Sequence, residues 1–183
     1  MKKLYVIEGF DRSGKDTLMN DLSKENLSNT YIYFNNLEGL PKYDKEQDNF
    51  LVWLNKFIDK QTNDLIELFK KYNNIVMTRL IISDEVYSSL FNREHTTIKY
   101  MERLNDIEIY NYCILFLNYN EYLNRIKHLE NEEVQYHQRD FERINDLYEE
   151  KLISSNYKYY INYIKSDTTP NDILQDFISY IKN

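Results

Sequence analysis

The residues best suited to chemistry lie near the start of the chain: Gly9-Phe10-Asp11-Arg12-Ser13-Gly14-Lys15-Asp16-Thr17, directly after the apolar run Leu4-Tyr5-Val6-Ile7. A glycine, four residues, then Gly-Lys is the skeleton of a phosphate-binding loop, or P-loop. Glycines let the backbone curl so that successive N–H groups face phosphate oxygens. The helix that follows adds the positive end of its dipole, and Lys15 reaches the β- and γ-phosphates. Gly9, Arg12, Ser13, Gly14, Lys15, Asp16 and Thr17 are thus the expected contacts for a nucleotide's phosphates. The hydroxyl that usually follows the lysine is missing, because Asp16 stands there and Thr17 comes one place later. The surroundings suit a P-loop all the same: a strand-like segment precedes it and an amphipathic one with Thr17, Leu18 and Leu22 follows.

Elements able to hold such a loop alternate along the chain. Lys3–Glu8 reads as a strand and Lys15–Glu25 as the helix after the loop. Tyr31–Phe34 is a short strand, followed by an irregular stretch at Gly39-Leu40-Pro41. From about Asp48 to Tyr72, Phe50, Trp53, Leu54, Phe57, Leu65 and Phe69 recur at helical spacing. Asn74–Thr78 is a buried strand, Asp84–Asn105 a helix and Tyr112–Leu117 a strand. Glu121 to Leu152 suits two helices with a polar break near Asn131. Lys158–Ile164 closes the set of strands, Ser166–Pro170 is a loop and Asp172–Ile181 a last helix. Such alternation predicts an α/β fold: a mostly parallel five-stranded sheet covered by helices on both faces, as a three-layer sandwich. Ligands of such sheets bind beyond the carboxyl ends of the strands, where the P-loop and the turn after Met77 both emerge.

At 183 residues, with 42% hydrophobic and 29% charged, the chain is expected to be one globular domain over residues 1–183. No apolar run approaches the roughly 20 residues that span a bilayer. The first residues carry two lysines but no long apolar core, which argues against a signal peptide. The single Cys113 excludes an internal disulfide framework and suits a reducing cytosol, as a core thiol. A net charge of −7 argues against binding a nucleic-acid polymer, though not against a nucleotide pocket lined by a few cations. Eighteen tyrosines with many Asn, Lys and Ile suggest the codon bias of an AT-rich genome.

The turn after the third strand reads Thr78-Arg79-Leu80-Ile81-Ile82-Ser83-Asp84-Glu85-Val86-Tyr87. Together with Gly9-Phe10-Asp11-Arg12-Ser13-Gly14-Lys15 it resembles the thymidylate kinases. That family has a P-loop of the type Gly-x-Asp-Arg-Ser/Ala-Gly-Lys. After its third strand it has Asp-Arg, three residues, Ser, three residues and Tyr. Arg79, Ser83 and Tyr87 match in register, and Thr78 departs. Asp140-Phe141-Glu142-Arg143-Ile144 with Tyr148 is similar to the helix after the family's lid. The resemblance implies a P-loop NTPase fold, ATP as donor, Mg²⁺ as cofactor and nucleotides as small-molecule partners. It also implies a homodimer formed through the helices beside the third strand, in the cytoplasm (or a host cytoplasm for a viral or otherwise divergent branch).

Residue by residue, the resemblance implies that Lys15 and the loop backbone hold the ATP phosphates. Arg12 would stabilise charge on the transferring phosphoryl group, since such transfer is mostly positioning and electrostatics. Arg79 would grip the acceptor's phosphate with its planar fork, which makes Arg12, Lys15 and Arg79 the expected catalytic set. Asp11 would accept from the sugar 3′-hydroxyl, and Ser83 and Tyr87 would line the nucleoside pocket one turn apart. A surface ion pair at Arg79 and core packing at Tyr87 are the plainer alternatives.

Two departures from the family pattern fall on one expected metal site. P-loop enzymes hold Mg²⁺ with a hydroxyl after the lysine and a carboxylate at a strand end. Here Asp16 and Thr78 occupy those places, as though the groups had been exchanged, and both are candidate metal contacts. The alternative for Asp16 is the ordinary preference of acids for a first helical turn. A small lid is expected near residues 125–140, with Arg125, Arg139 and Arg143 as its cations, although a solvated charged helix accounts for the same residues.

Base recognition departs from the family as well. The helix before the third strand offers Trp53, Lys56, Phe57, Lys60 and Gln61 but no arginine, and Phe57 is the candidate base contact unless these aromatics are core. Asn35-Asn36-Leu37-Glu38 replaces the family's Arg-Glu-Pro.

The expected activity is transfer of the ATP γ-phosphoryl to a deoxynucleoside monophosphate, with dTMP giving dTDP. A deoxynucleoside kinase of the same fold is the rival, with Glu8 as a possible carboxylate base. A non-catalytic nucleotide sensor is the third reading. A GTPase switch is excluded because Asn118-Tyr119-Asn120-Glu121 does not supply the guanine-reading Asn-Lys-x-Asp.

Overall fold

The computed structural model describes residues 1–35, 37–38, 40, 50–93, 102–127 and 139–182. Five strands form one sheet: β1 (Lys2–Gly9), β2 (Thr30–Ile32), β3 (Asn74–Thr78), β4 (Ile107–Phe116) and β5 (Lys158–Ile164). Their order is β2-β3-β1-β4-β5, and every pairing is parallel. β1 is central, and its apolar run is that of a strand buried on both faces, with Leu4, Val6 and Ile7 fully buried. The helices are α1 (Lys15–Leu22), α2 (Phe50–Leu68), α3 (Ile81–Phe91), α4 (Tyr119–Ile126), α5 (Phe141–Ser154) and α6 (Pro170–Lys182).

Alternation along β1 divides the core. Tyr5 and Ile7 pack with Leu18, Met19 and Phe177 from α1 and α6. Leu4 and Val6 pack with Leu65 of α2 and Leu80 and Ile81 at the start of α3. Register sets Ile7 beside Thr78 and Gly9 beside Ile114, so the loop after β1 and the turn after β3 leave the sheet side by side. Cys113 is a buried free thiol, as expected. Among the described residues no helix is long and apolar enough to cross a membrane.

β3 and β5 have the predicted bounds. The helix expected over Asp84–Asn105 is instead α3, which begins at Ile81 and stops at Asn92, a residue in the left-handed region at φ 51°. A short 3-10 turn at Glu102–Leu104 follows, and β4 begins at Ile107 rather than Tyr112. Mixed polarity over the first half of β4, with Glu108 and Asn111 between apolar residues, hid that extension. α4 and α5 are the two helices expected between Glu121 and Leu152. The break near Asn131 and most of the lid segment fall at residues 128–138, outside the described residues.

Candidate active site

The loop between β1 and α1 is shaped by what surrounds it. Gly9 has φ 127°, and a Cβ there would stand 2.1 Å from the Ile114 carbonyl oxygen of β4, so no side chain fits. Phe10 N–H donates to that same oxygen at 3.1 Å. The Phe10 ring is fully buried against Tyr122 and Phe141, with centroids at 5.2 and 5.1 Å, which anchors the loop to α4 and α5. Gly14 at φ 99° occupies the N-cap position of α1.

Lys15 is almost fully buried, and its ammonium donates to the Gly9 and Phe10 carbonyls and lies 3.5 Å from Ser13 Oγ. Burial lowers its pKa from 10.5 to about 8, against the pull of nearby negative charge that includes Asp16 and Glu8. Beside it opens a cavity of about 470 Å³ lined by Arg12, Gly14, Lys15, Asp16 and Thr17, together with Asp11, Arg79 and Arg125. Five of the seven expected phosphate contacts therefore line one cavity. Gly9 and Ser13 lie beneath it, the first against β4 and the second fully buried.

A second pocket, about 150 Å³, opens between α2 and α3. Leu54, Phe57, Ile58 and Gln61 line one side, and Leu80, Ser83, Asp84 and Tyr87 the other. Phe57 stacks on Trp53 at 5.2 Å with 6° between the rings. Gln61 is buried and its amide donates to Asn35 Oδ1 at 2.8 Å. Asp84 is also buried and accepts from Ser88 Oγ at 3.3 Å. Arg93 completes the pocket, its guanidinium over the rings of Phe50 at 4.6 Å and Phe91 at 5.6 Å. Arg79 lines both the cavity and the pocket. It is ion-paired with Asp11, whose other carboxylate oxygen accepts from Tyr87 Oη at 3.4 Å.

No family model matches the chain, and no curated protein sequence does either. Solved structures do match in shape. The YorR protein of Bacillus subtilis, in complex with phosphorylated GDP, is 19% identical over 98% of this chain and 96% of its own, with a TM-score of 0.62. Deoxyadenosine kinase from M. mycoides with bound dATP is 16% identical over 98% of this chain and all of its own, also at 0.62. Thymidylate kinase from Ehrlichia chaffeensis is 15% identical over 98% of each chain, at 0.57. The fold is that of the P-loop kinases.

Four further residues of the expected site, Ser83, Arg125, Arg139 and Arg143, fall in different surroundings. Ser83 lies in the wall of the pocket, but its hydroxyl donates to Glu8 and sits 3.1 Å from the Tyr148 hydroxyl, so it is committed inside the core. Arg125, expected as a lid cation, lies in the last turn of α4, donates to the Thr168 carbonyl at 3.2 Å and walls the cavity over Gly14, and burial lowers its pKa. Arg139 pairs with its neighbour Asp140 at 2.7 Å, and Arg143 is exposed, and neither lines the cavity. The buried face of α5 carries Phe141, Ile144 and Tyr148, which turns Arg143 outward.

The metal expectation divides in the same way. Asp16 and Thr17 bring a carboxylate and a hydroxyl to the cavity, whereas Thr78, paired with Ile7 in the sheet, is not among its lining residues. Among the described residues no cluster of three or more His, Cys, Asp or Glu could hold a metal alone. One carboxylate and one hydroxyl beside a cavity lined by Lys15, Arg79 and Arg125 fit Mg²⁺, which binds through few protein groups and substrate phosphates.

Asp84 and Arg93 escaped the sequence reading. An acid among the buried Ile81, Ile82 and Val86 was the available signal for Asp84. Arg93 had none, because the left-handed turn at Asn92 brings it to the pocket. On α2, Gln61 reaches the pocket, while Lys60 pairs with Asp64 at 3.0 Å and Lys56 is exposed.

Proposed function

We propose that the chain is a nucleotide kinase that passes the γ-phosphoryl group of ATP to a deoxynucleoside monophosphate, with dTMP as the acceptor. The observation that carries this is Arg79, the residue shared by the cavity of about 470 Å³ beside the P-loop and the aromatic-walled pocket between α2 and α3. Donor phosphates lie along the loop, held by its N–H groups and Lys15, with Arg125 beside them over Gly14. Arg79 receives the acceptor phosphate at the junction, its fork oriented by Asp11. Arg12, exposed on the loop and lining the cavity, stabilises charge on the group in flight. An acceptor oxygen bonds to the γ-phosphorus as the bond to the β-phosphate oxygen breaks, and ADP leaves. Mg²⁺, when bound, neutralises phosphate charge, and Asp16 and Thr17 are the residues that would hold it.

The pocket takes the nucleoside. At about 150 Å³ it is smaller than the roughly 300–1,000 Å³ of whole-ligand sites. It therefore suits a one-ring base stacked on Phe57, with Gln61, Asp84 and Arg93 supplying polar contacts. The motif resemblance at Gly9–Lys15 and at Arg79, Ser83 and Tyr87 supports a thymidylate-type acceptor through its phosphate and sugar contacts, whereas the base contacts on α2 depart from that family.

A deoxynucleoside acceptor is the second reading, favoured by Asp11, a largely buried carboxylate at the junction where a 5′-hydroxyl would need a base. Glu8 is unsuited to that duty, because it is fully buried and lines neither space. The test is purified protein with Mg²⁺–ATP and a panel of nucleoside monophosphates and deoxynucleosides, with products read by mass. Diphosphate from dTMP is the expected result. Monophosphate from deoxynucleosides establishes the second reading, and ATP binding without any product refutes both.

A further inference from the structure

Glu8 is the penultimate residue of the central strand, yet it lines neither the cavity nor the pocket. Oε1 accepts from Leu80 N–H at 3.0 Å, and Oε2 accepts from Ser83 N–H at 3.2 Å and from the Ser83 hydroxyl. These groups form the first turn of α3, whose own N-cap position, Leu80, supplies no side-chain acceptor. The first N–H groups of a helix have no partner within it, and a carboxylate placed there also meets the positive end of its dipole. Glu8 thus performs from β1 the service that Ser, Asp or Asn usually performs from the position before a helix.

The residue that gains from this cap is Arg79. It has φ 53°, a left-handed conformation that is costly for a side chain with a Cβ, and it persists only where neighbours over-determine it. Two bonds bracket it: Arg79 N–H donates to the Ile7 carbonyl at 3.0 Å, and Leu80 N–H donates to Glu8. Tyr148, fully buried on α5, holds Ser83 from the other side at 3.1 Å. Burial raises the Glu8 pKa, while the Ser83 and Leu80 hydrogen bonds and the charges of Arg79 and Lys15 lower it.

We infer that Glu8 is a positioning residue, capping α3 across the sheet and holding Arg79 where the cavity and the pocket meet. The inference rests on the proposed grip of Arg79 on the acceptor. Glu8 itself touches no reactant, so it acts on acceptor binding through Arg79 and carries no proton in the transfer.

The test is a double-mutant cycle of Glu8→Gln and Arg79→Ala, with KM and kcat for both substrates and backbone hydrogen exchange over residues 79–84. Glutamine keeps one acceptor oxygen but sets an NH₂ against the N–H groups of α3. Glu8→Gln is expected to raise the acceptor KM about 10- to 100-fold, the worth of a hydrogen bond to a charged group, with the ATP KM unchanged. In the Arg79→Ala background the same substitution should have little further effect. Exchange at Leu80 and Ser83 should quicken while β3 stays protected. Ser83→Ala is the milder variant should Glu8→Gln fold poorly, with a smaller change in the same direction. A collapse of kcat at unchanged acceptor KM, a full effect without Arg79, or unaltered exchange overturns the inference. If wild-type protein turns over no acceptor, the proposed function fails, and exchange alone then decides whether Glu8 caps α3.

Discussion

Lys15 is buried beside the cavity that the proposed function fills with ATP phosphates, so on that reading nucleotide binding draws a proton from solution at alkaline pH. In the empty protein its pKa stands at about 8, a displacement from 10.5 worth about 3 kcal/mol against the charged form. A polyphosphate in contact restores the charge and lifts the pKa well above the working range. The uptake equals the fraction of Lys15 that is neutral beforehand: about half a proton at pH 8 and about a tenth at pH 7. Calorimetry of ATP binding in buffers of different ionisation enthalpy measures it directly. Affinity should also weaken above pH 8, approaching about tenfold per pH unit. Lys15→Arg keeps a permanent charge and should abolish the uptake in whatever binding remains. Uptake that is absent at pH 8 in wild type, or intact in the arginine variant, would refute the assignment of Lys15 as the buried phosphate cation. The same shift has a stability sign. Between pH 8 and 10.5 the unfolded chain binds more protons at this site than the folded one, so the empty protein gains stability as pH rises through that window.

Two further predictions concern the loop and the metal. Gly9→Ala drives a Cβ to 2.1 Å from the Ile114 carbonyl oxygen at a positive φ, and should destabilise by about 3 kcal/mol or more in urea unfolding. Gly14→Ala meets nothing nearer than 3.4 Å and should lose only about 1–2 kcal/mol, so equal losses at both positions would contradict the packing account. Asp16→Ala should raise the Mg²⁺ concentration needed for half-maximal activity, whereas Thr78→Ala should not, because only Asp16 lines the cavity. A matching shift from Thr78→Ala in a Mg²⁺ titration would restore the idea that the two groups exchanged places.

The P-loop was legible because its chemistry is local. Two glycines and a lysine at fixed spacing between a strand and a helix express one backbone conformation, and no distant residue is needed to recognise it. β1, β3 and β5 were legible for a similar reason, as short apolar or β-branched runs bounded by polar turns. Where α3 begins was not legible. Its start depends on a carboxylate from β1 that lies 72 residues away from Leu80. The first half of β4 was missed because Glu108 and Asn111 break its apolar pattern. Asn111 is nonetheless almost fully buried between β1 and β5, where position in the sheet outweighs side-chain preference.

By itself, then, the sequence determined the alternation of strands and helices, the loop for phosphate and the types of the residues that could serve it. Local backbone preference and periodic burial are written into neighbouring residues, and those are short-range physics. Tertiary structure decided which of those side chains meet. It set Arg125 in the cavity wall, left Thr78 out of it and turned Arg143 to the surface. It turned the Ser83 hydroxyl into the core toward Glu8 and brought Asp84 and Arg93 to the pocket beside α2. Those outcomes depend on strand register and on the faces that helices bury, and both are settled only when the whole chain packs around one sheet.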